Sequence, residues 1–203
     1  MAHMVDSLSF TGETPWHGLG LRVPRHATVD EMIRFGGLDW QVIPRPLAAF
    51  APDGTGTTVP GFKALVRSDR PDVVLSVVGE SYGVVQNDEA LGLAAAAVGE
   101  GSACAEVCGA LDEGRRVFVV LNVKEAGFDV AGERVEPYVL CYSSHDESTA
   151  VGLRFTPVRV VCHNTITAAL RDGKDAQRIW HTREWDEKRQ QQVKAQLGIA
   201  REQ

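Results

Sequence analysis

The order of the β-branched runs constrains this chain more than any other feature. "RRVFVVLNV" (115–123), "PYVLCYSS" (137–144) and "TAVGLRFTPVRVVC" (149–162) follow one another with only turn-forming residues between them. Parallel strands need a crossover of a dozen or more residues, usually a helix, whereas antiparallel strands join through short turns. Three earlier runs, "WQVIPRPLAAF" (40–50), "GFKALVRSD" (61–69) and "DVVLSVVGESYGVVQ" (72–86), are likewise separated by Pro, Gly and Asp clusters. No repeated βαβ pattern is present, so the expected fold class is α+β: an antiparallel or mixed sheet of hairpins with packed helices. "DVVLSVV", "RRVFVVLNV" and "PYVLCYS" are expected as central strands, at least half buried, because their β-branched density is highest.

Two helices interrupt the strands. "ATVDEMIRFGGLDW" offers Thr28 as N-cap, Glu31 three residues on as in a capping box, and Gly36-Gly37 as the stop. "NDEALGLAAAAVGEG" switches to Ala and Leu behind Asn87, with Asp88 and Glu89 in the first turn. "PWHGLG" (15–20) reads as an ordered loop in which Trp16 buries its large ring, and "APDGTGTTVPG" (51–61) as a turn-rich loop. Val158–Cys162 reads as a strand, followed by a helix from Asn164 capped by Asn164 or Thr165. Residues 1–183 are expected to form one domain. Residues 184–203 read as a charged C-terminal helix with few apolar positions, Trp185, Val193, Leu197 and Ile199 among them, which either docks by one narrow stripe or is the start of a longer helical region.

Composition bounds the functional classes. No apolar run approaches the roughly 18 residues of a membrane span, and the start lacks a basic-then-apolar signal pattern, so a cytoplasmic protein without membrane partners is expected. Four cysteines without framework spacing fit a reducing compartment. Residues 1–149 hold 11 Lys and Arg against 21 Asp and Glu, whereas residues 150–203 hold 10 against 6. Attraction to phosphate is therefore expected in the C-terminal quarter.

No P-loop or dinucleotide fingerprint occurs, and the Cys104/Cys108 pair lacks the second pair or histidines that zinc needs, so neither metal nor cofactor is expected. His17, His145, His163 and His181 fall in loops or at element ends, where functional residues concentrate. "RVVCHNT" sets Cys162 beside His163, but neighbours in a strand face opposite ways, so a thiol nucleophile would need another imidazole. The candidates for a small hydrolase or nuclease are Cys162, His17, His145 and His181. The competing reading is a binding protein: Arg154, Arg159, Arg171, Lys174, Arg178 and Arg183 interleave with Trp180 and Trp185, a pattern suited to holding single-stranded nucleic acid.

With "PWHGLG", "GLDW", "VVGESYGVVQN", "SSHDES", "PVRVVCHNTI" and "WHT" in this order, the chain resembles the phage- and plasmid-like proteins that carry domain of unknown function 932. The resemblance runs from Met1 to about Leu197. It implies a mobile-element protein, similar in outline to oligomeric single-strand annealing proteins, with single-stranded nucleic acid and further copies of itself as partners. A protein–protein regulator acting on a host defence protein is the alternative.

Overall fold

A computed structural model describes residues 4–98, 104–123, 128–130, 133–135, 138–171 and 177–179. The elements, in chain order, are β1 (Val5–Phe10), β2 (Leu21–Arg22), α1 (Val29–Phe35), β3 (Val42–Phe50), β4 (Gly56–Arg67), β5 (Val74–Gly79) and α2 (Asn87–Val98). Then come β6 (Cys104–Leu111), β7 (Arg116–Asn122), β8 (Phe128–Val130), β9 (Glu133–Val135), β10 (Tyr138–Ser144), β11 (Val151–Thr156), α3 (His163–Arg171) and β12 (Gln177–Ile179). The fold is α+β. Among the described residues a seven-stranded sheet runs β12-β11-β10-β7-β6-β1-β2, a three-stranded sheet β3-β4-β5, and β8-β9 form a separate hairpin. All ladders are antiparallel except β1 with β2, which makes the large sheet mixed.

The alternation of side chains along β6, β7 and β10 divides the interior into two cores. Val117, Val119 and Leu121, with Cys108, Ala110, Val139 and Cys141, face α1 and α2. Phe118 and Val120, with Val107, Leu140 and Tyr142, face α3 and the segment leading into it, through Val160, Val161, Cys162 and Ile166. Each fully buried Val or Leu here contributes roughly 1.5–3 kcal/mol. Both faces of the central strands are covered, which explains their nearly unbroken β-branched runs.

Several sequence expectations are met. α1 carries the full Thr28–Glu31 capping box and stops at Gly36, with Gly37 at φ 64°. α2 spans the expected run, but Asn87, expected as its cap, is its first residue and turns its side chain to the Leu38 carbonyl and His145. Asp112–Gly114 form the expected turn between β6 and β7, all three residues at positive φ. β7 and β10 are central.

Others are corrected. β5, expected to be central, is the edge of the three-stranded sheet, with Val74 and Val77 about half exposed, because its apolar density serves one face only. Gly56–Pro60, expected as loop, opens β4, which pairs with β3 as a long hairpin. Pro44 and Pro46 sit in β3, an edge strand, the place where a missing N–H costs no ladder bond. "PVRVVC" lies in no strand: β11 ends at Thr156, before Pro157. There the Val161 and Cys162 N–H groups go to the Thr165 hydroxyl at 2.9 Å each, so a side chain replaces the expected ladder. The Thr165 side chain thus serves the chain entering α3 and donates back to the Cys162 carbonyl at 2.9 Å, instead of capping helical N–H groups. β1, Val5–Phe10, has no counterpart among the expected strands. The C-terminal helix expected over 184–203 lies outside the described residues.

Candidate nucleic-acid interface

Residues 11–20 leave β1 and return as β2, and the loop between is pinned from three sides. Gly18 N–H bonds the Pro15 carbonyl (2.9 Å), with Gly18 at φ 72°, closing the turn. Gly20, at φ 109°, lies so near Leu8 that a Cβ would fall 3.0 Å from its carbonyl oxygen; only glycine passes there. His17 then ties the loop to the other end of the sequence. Its Nδ1 accepts from Leu19 N–H (3.1 Å), so Nε2 carries the proton and donates to the Val161 carbonyl (3.0 Å). "PWHGLG" and "PVRVVCHNTI" are therefore neighbours in space.

Trp16 departs from expectation. It packs its edge on the His17 ring (centroids 5.3 Å apart) yet is 68% exposed. The loop is ordered by His17 and the glycines, and this leaves the indole outside. Its indole is thus open to the surface, as the rings of Phe50 and Phe155 are elsewhere on the molecule.

Guanidinium groups surround the loop. Arg22 Nη2 donates to the Gly12 carbonyl. Arg159 Nη2 donates to the Thr11 (3.3 Å) and Glu13 (2.9 Å) carbonyls, and its Nε to Glu106 Oε1. Glu106 reaches Arg159 because β6 carries a bulge between Ala105 and Val107, which leaves Glu106 without a cross-strand partner and turns its side chain out of the alternation. Asn122 Nδ2 steadies the second carboxylate oxygen at 3.0 Å. Beside these groups opens a cavity of about 510 Å³, lined by Arg25, Arg159, Glu13, Glu106, Asn122 and Tyr138. Arg25 is exposed.

The remaining sequence candidates separate. Arg154 is 6% exposed and donates to the Ala169 carbonyl (3.0 Å), closing the C-terminal turn of α3 from inside the protein. Arg171 is exposed on the last turn of α3. Arg178 lies in β12, the edge strand next to β11, and Lys174, Trp180, His181, Arg183 and Trp185 lie outside the described residues.

Cys162 is fully buried, its thiol 3.5 Å from the Thr165 hydroxyl. His145 is buried in the opposite core, bonded to Asn87 Oδ1 (2.8 Å) and edge-on to Trp40. His163 lies at the sheet end near Asp112 (3.7 Å) and Arg116 (3.5 Å). The described members of the hydrolase set, Cys162, His17 and His145, are thus not brought into one cleft. The His145 environment gathers "GLDW", "VVQN" and "SSHDES" into a structural knot: Asn87 Nδ2 also bonds the Leu38 carbonyl at 2.9 Å.

Burial raises the Cys108 thiol far above its ordinary range and the Cys141 thiol to about 12, so neither is a nucleophile at neutral pH. Among the described residues no three His, Cys, Asp or Glu side chains are grouped to hold a metal ion. Nor is any helix among them long and apolar enough to cross a membrane.

Sequence reasoning had no access to Glu106, whose role follows from a bulge, or to the outward rotation of Trp16. Arg22 and Arg25, in "LRVPRH" just after the Trp loop, were available as a signal.

What fold and surface define together is an α+β domain with an antiparallel meander from β6 to β11 and a pinned, aromatic-tipped loop at its edge. Residues 74–203 match the model of Domain of unknown function (DUF932), well over half of the chain, and the protein belongs to that family. No curated protein and no solved structure matches it. The matched span holds Glu106, Asn122, Tyr138 and Arg159; Trp16, Arg22 and Arg25 precede it.

Proposed function

We propose that this protein is a cytoplasmic nucleic-acid-binding accessory that holds single strands, in the mobile-element setting its resemblance implies. The reading rests on one observation above the others: Trp16 is held out into solvent on a loop pinned by His17, with Arg22 and Arg159 bonded to the same loop. A rigid exposed indole offers a stacking platform to any base, and neighbouring guanidinium groups meet the backbone. Glu13, Glu106 and the formal charge of −6 oppose a polyanion, so affinity is expected at low salt, or from self-association that aligns several such edges.

The test is fluorescence anisotropy with labelled oligothymidylate at two salt concentrations. Trp16→Ala should weaken binding about tenfold, as the loss of one stacked base does. Arg22→Ala with Arg25→Ala should flatten the log–log salt slope by about 1.4, two phosphate contacts at about 0.7 each. Absence of binding at low salt, or wild-type affinity in both variants, would refute the reading and favour a protein-binding role.

A further inference from the structure

The anchorage of the Trp16 loop leaves one of its groups with capacity to spare. Arg159 holds the loop through the Thr11 and Glu13 carbonyls and gives its Nε–H to Glu106 Oε1, while Asn122 Nδ2 donates to Glu106 Oε2 at 3.0 Å. A carboxylate offers about four lone-pair sites, two on each oxygen. The bonds found among the described residues therefore leave each Glu106 oxygen able to accept once more, and donors on both sides fix the group in place. The side chains of Glu106 and Arg159 are 17% and 23% exposed, and both line the cavity of about 510 Å³ beside the loop, so the pair borders that space instead of being sealed beneath the loop. Thr11 and Asn122, each 5% exposed, continue the polar wall.

The chemistry of the lining narrows the occupant. Its volume falls within the roughly 300–1,000 Å³ of small-molecule pockets, enough for one nucleotide. The charged residues of the lining balance, Arg25 and Arg159 against Glu13 and Glu106, so an isolated anion or cation gains little there. A nucleotide carries a donor-bearing base at one end and a phosphate at the other, and meets both signs. Of the four DNA bases guanine alone sets two donors side by side on its Watson–Crick edge, N1–H and the N2 amino group, the complement of two carboxylate oxygens. Adenine and cytosine set a single amino group beside an acceptor nitrogen, and thymine sets its N–H between two carbonyls, so each turns a lone pair toward the carboxylate.

We propose that this cavity takes one guanine base of the bound single strand, with Glu106 accepting from N1–H and the N2 amino group and Arg25 meeting the phosphate. The inference rests on the single-strand reading and adds a base preference to it: stacking on Trp16 tolerates any base, whereas a fixed acceptor pair chooses among them.

The test is anisotropy at low salt with oligothymidylate carrying one central guanosine, inosine or adenosine. The wild-type protein should hold the guanosine strand about tenfold more tightly than the adenosine strand, as one bidentate contact does, with inosine, which lacks the N2 amino group, in between. Glu106→Gln also takes a partner from Arg159, so absolute affinity moves for every strand; the readout is the guanosine-to-adenosine ratio, which should fall below twofold and which a merely structural role would not change. Trp16→Ala should weaken all three strands alike and keep the ratio. Equal affinity of the wild-type protein for the three strands, or a ratio that survives Glu106→Gln, would overturn the inference while the single-strand reading stands; no binding to any of them would overturn both.

Discussion

At Gly152 a Cβ would collide with the ring of Tyr142, which lies across the backbone from the neighbouring strand. Gly152→Ala must push the ring aside within a filled core and is expected to cost about 1–3 kcal/mol in denaturant unfolding. Gly79, where a Cβ would meet nothing within 4 Å, is the control that should move little when changed to Ala. His17 is the other residue on which local order hangs. His17→Ala removes two hydrogen bonds of the loop, each worth about 1 kcal/mol, and should open the chain before Leu21 to proteolysis while the sheet keeps its amide protection. The sequence showed that "PWHGLG" is ordered, because Pro and Gly fix a turn. Which aromatic ring faces inward depends on a carbonyl 144 residues away, that of Val161, and no local pattern encodes it.

Among the elements, α1 was readable to the residue because a capping box is a local device: Thr28 and Glu31 satisfy each other whatever surrounds them. Segment 157–162 was not, because β-branched residues fit an extended backbone whether or not a neighbouring strand is present, and here Thr165 and His17 take the backbone groups instead. Charge alone marks Arg154 as a phosphate ligand. Its pairing with the Ala169 carbonyl makes it a fastener for α3, so Arg154→Ala should lower stability by about 1.5–3 kcal/mol and loosen amide protection in α3. Cys108 and Cys141 lie on one face of the sheet with Val119 of β7 between them, two strand spacings apart. That distance, about 10 Å, forbids a disulfide, so both thiols should stay unreactive to a thiol reagent until unfolding.

The two sheets are joined by an ionic cluster. Arg67 of β4, 3% exposed, bonds Asp6 of β1 at 2.6 Å and Asp69 through two contacts at 2.8 and 2.9 Å, while Arg70 also reaches Asp6 at 2.6 Å. Arg67 further donates to the Glu113 carbonyl (3.0 Å), holding a turn in which Asp112, Glu113 and Gly114 all have positive φ. Burial alone would raise the Asp6 carboxyl, but the hydrogen bonds from Arg70 and Arg67 outweigh it and hold its pKa below the ordinary value; the Arg67 hydrogen bond does the same for Asp69. Carboxylates depressed in the folded state contribute stability that is complete above their unfolded pKa of about 4 and is lost as pH falls through the lower folded values. Thermal stability should therefore hold from neutral pH down to about 4 and drop below it. In Asp6→Asn it should start about 2–3 kcal/mol lower and drop less steeply with acid.

Over the whole molecule the sheet order, the two cores and the edge position of the Trp16 loop leave an exposed indole beside the guanidinium groups of Arg22 and Arg159, and the proposed function rests on that arrangement. The measurement that meets this claim most directly is photo-crosslinking of an iodouracil-substituted single strand at low salt, followed by peptide mapping. The account predicts adducts concentrated in residues 11–25, with Trp16 the principal site and the yield falling as salt rises. Adducts confined to other segments, with residues 11–25 unmodified, would contradict it.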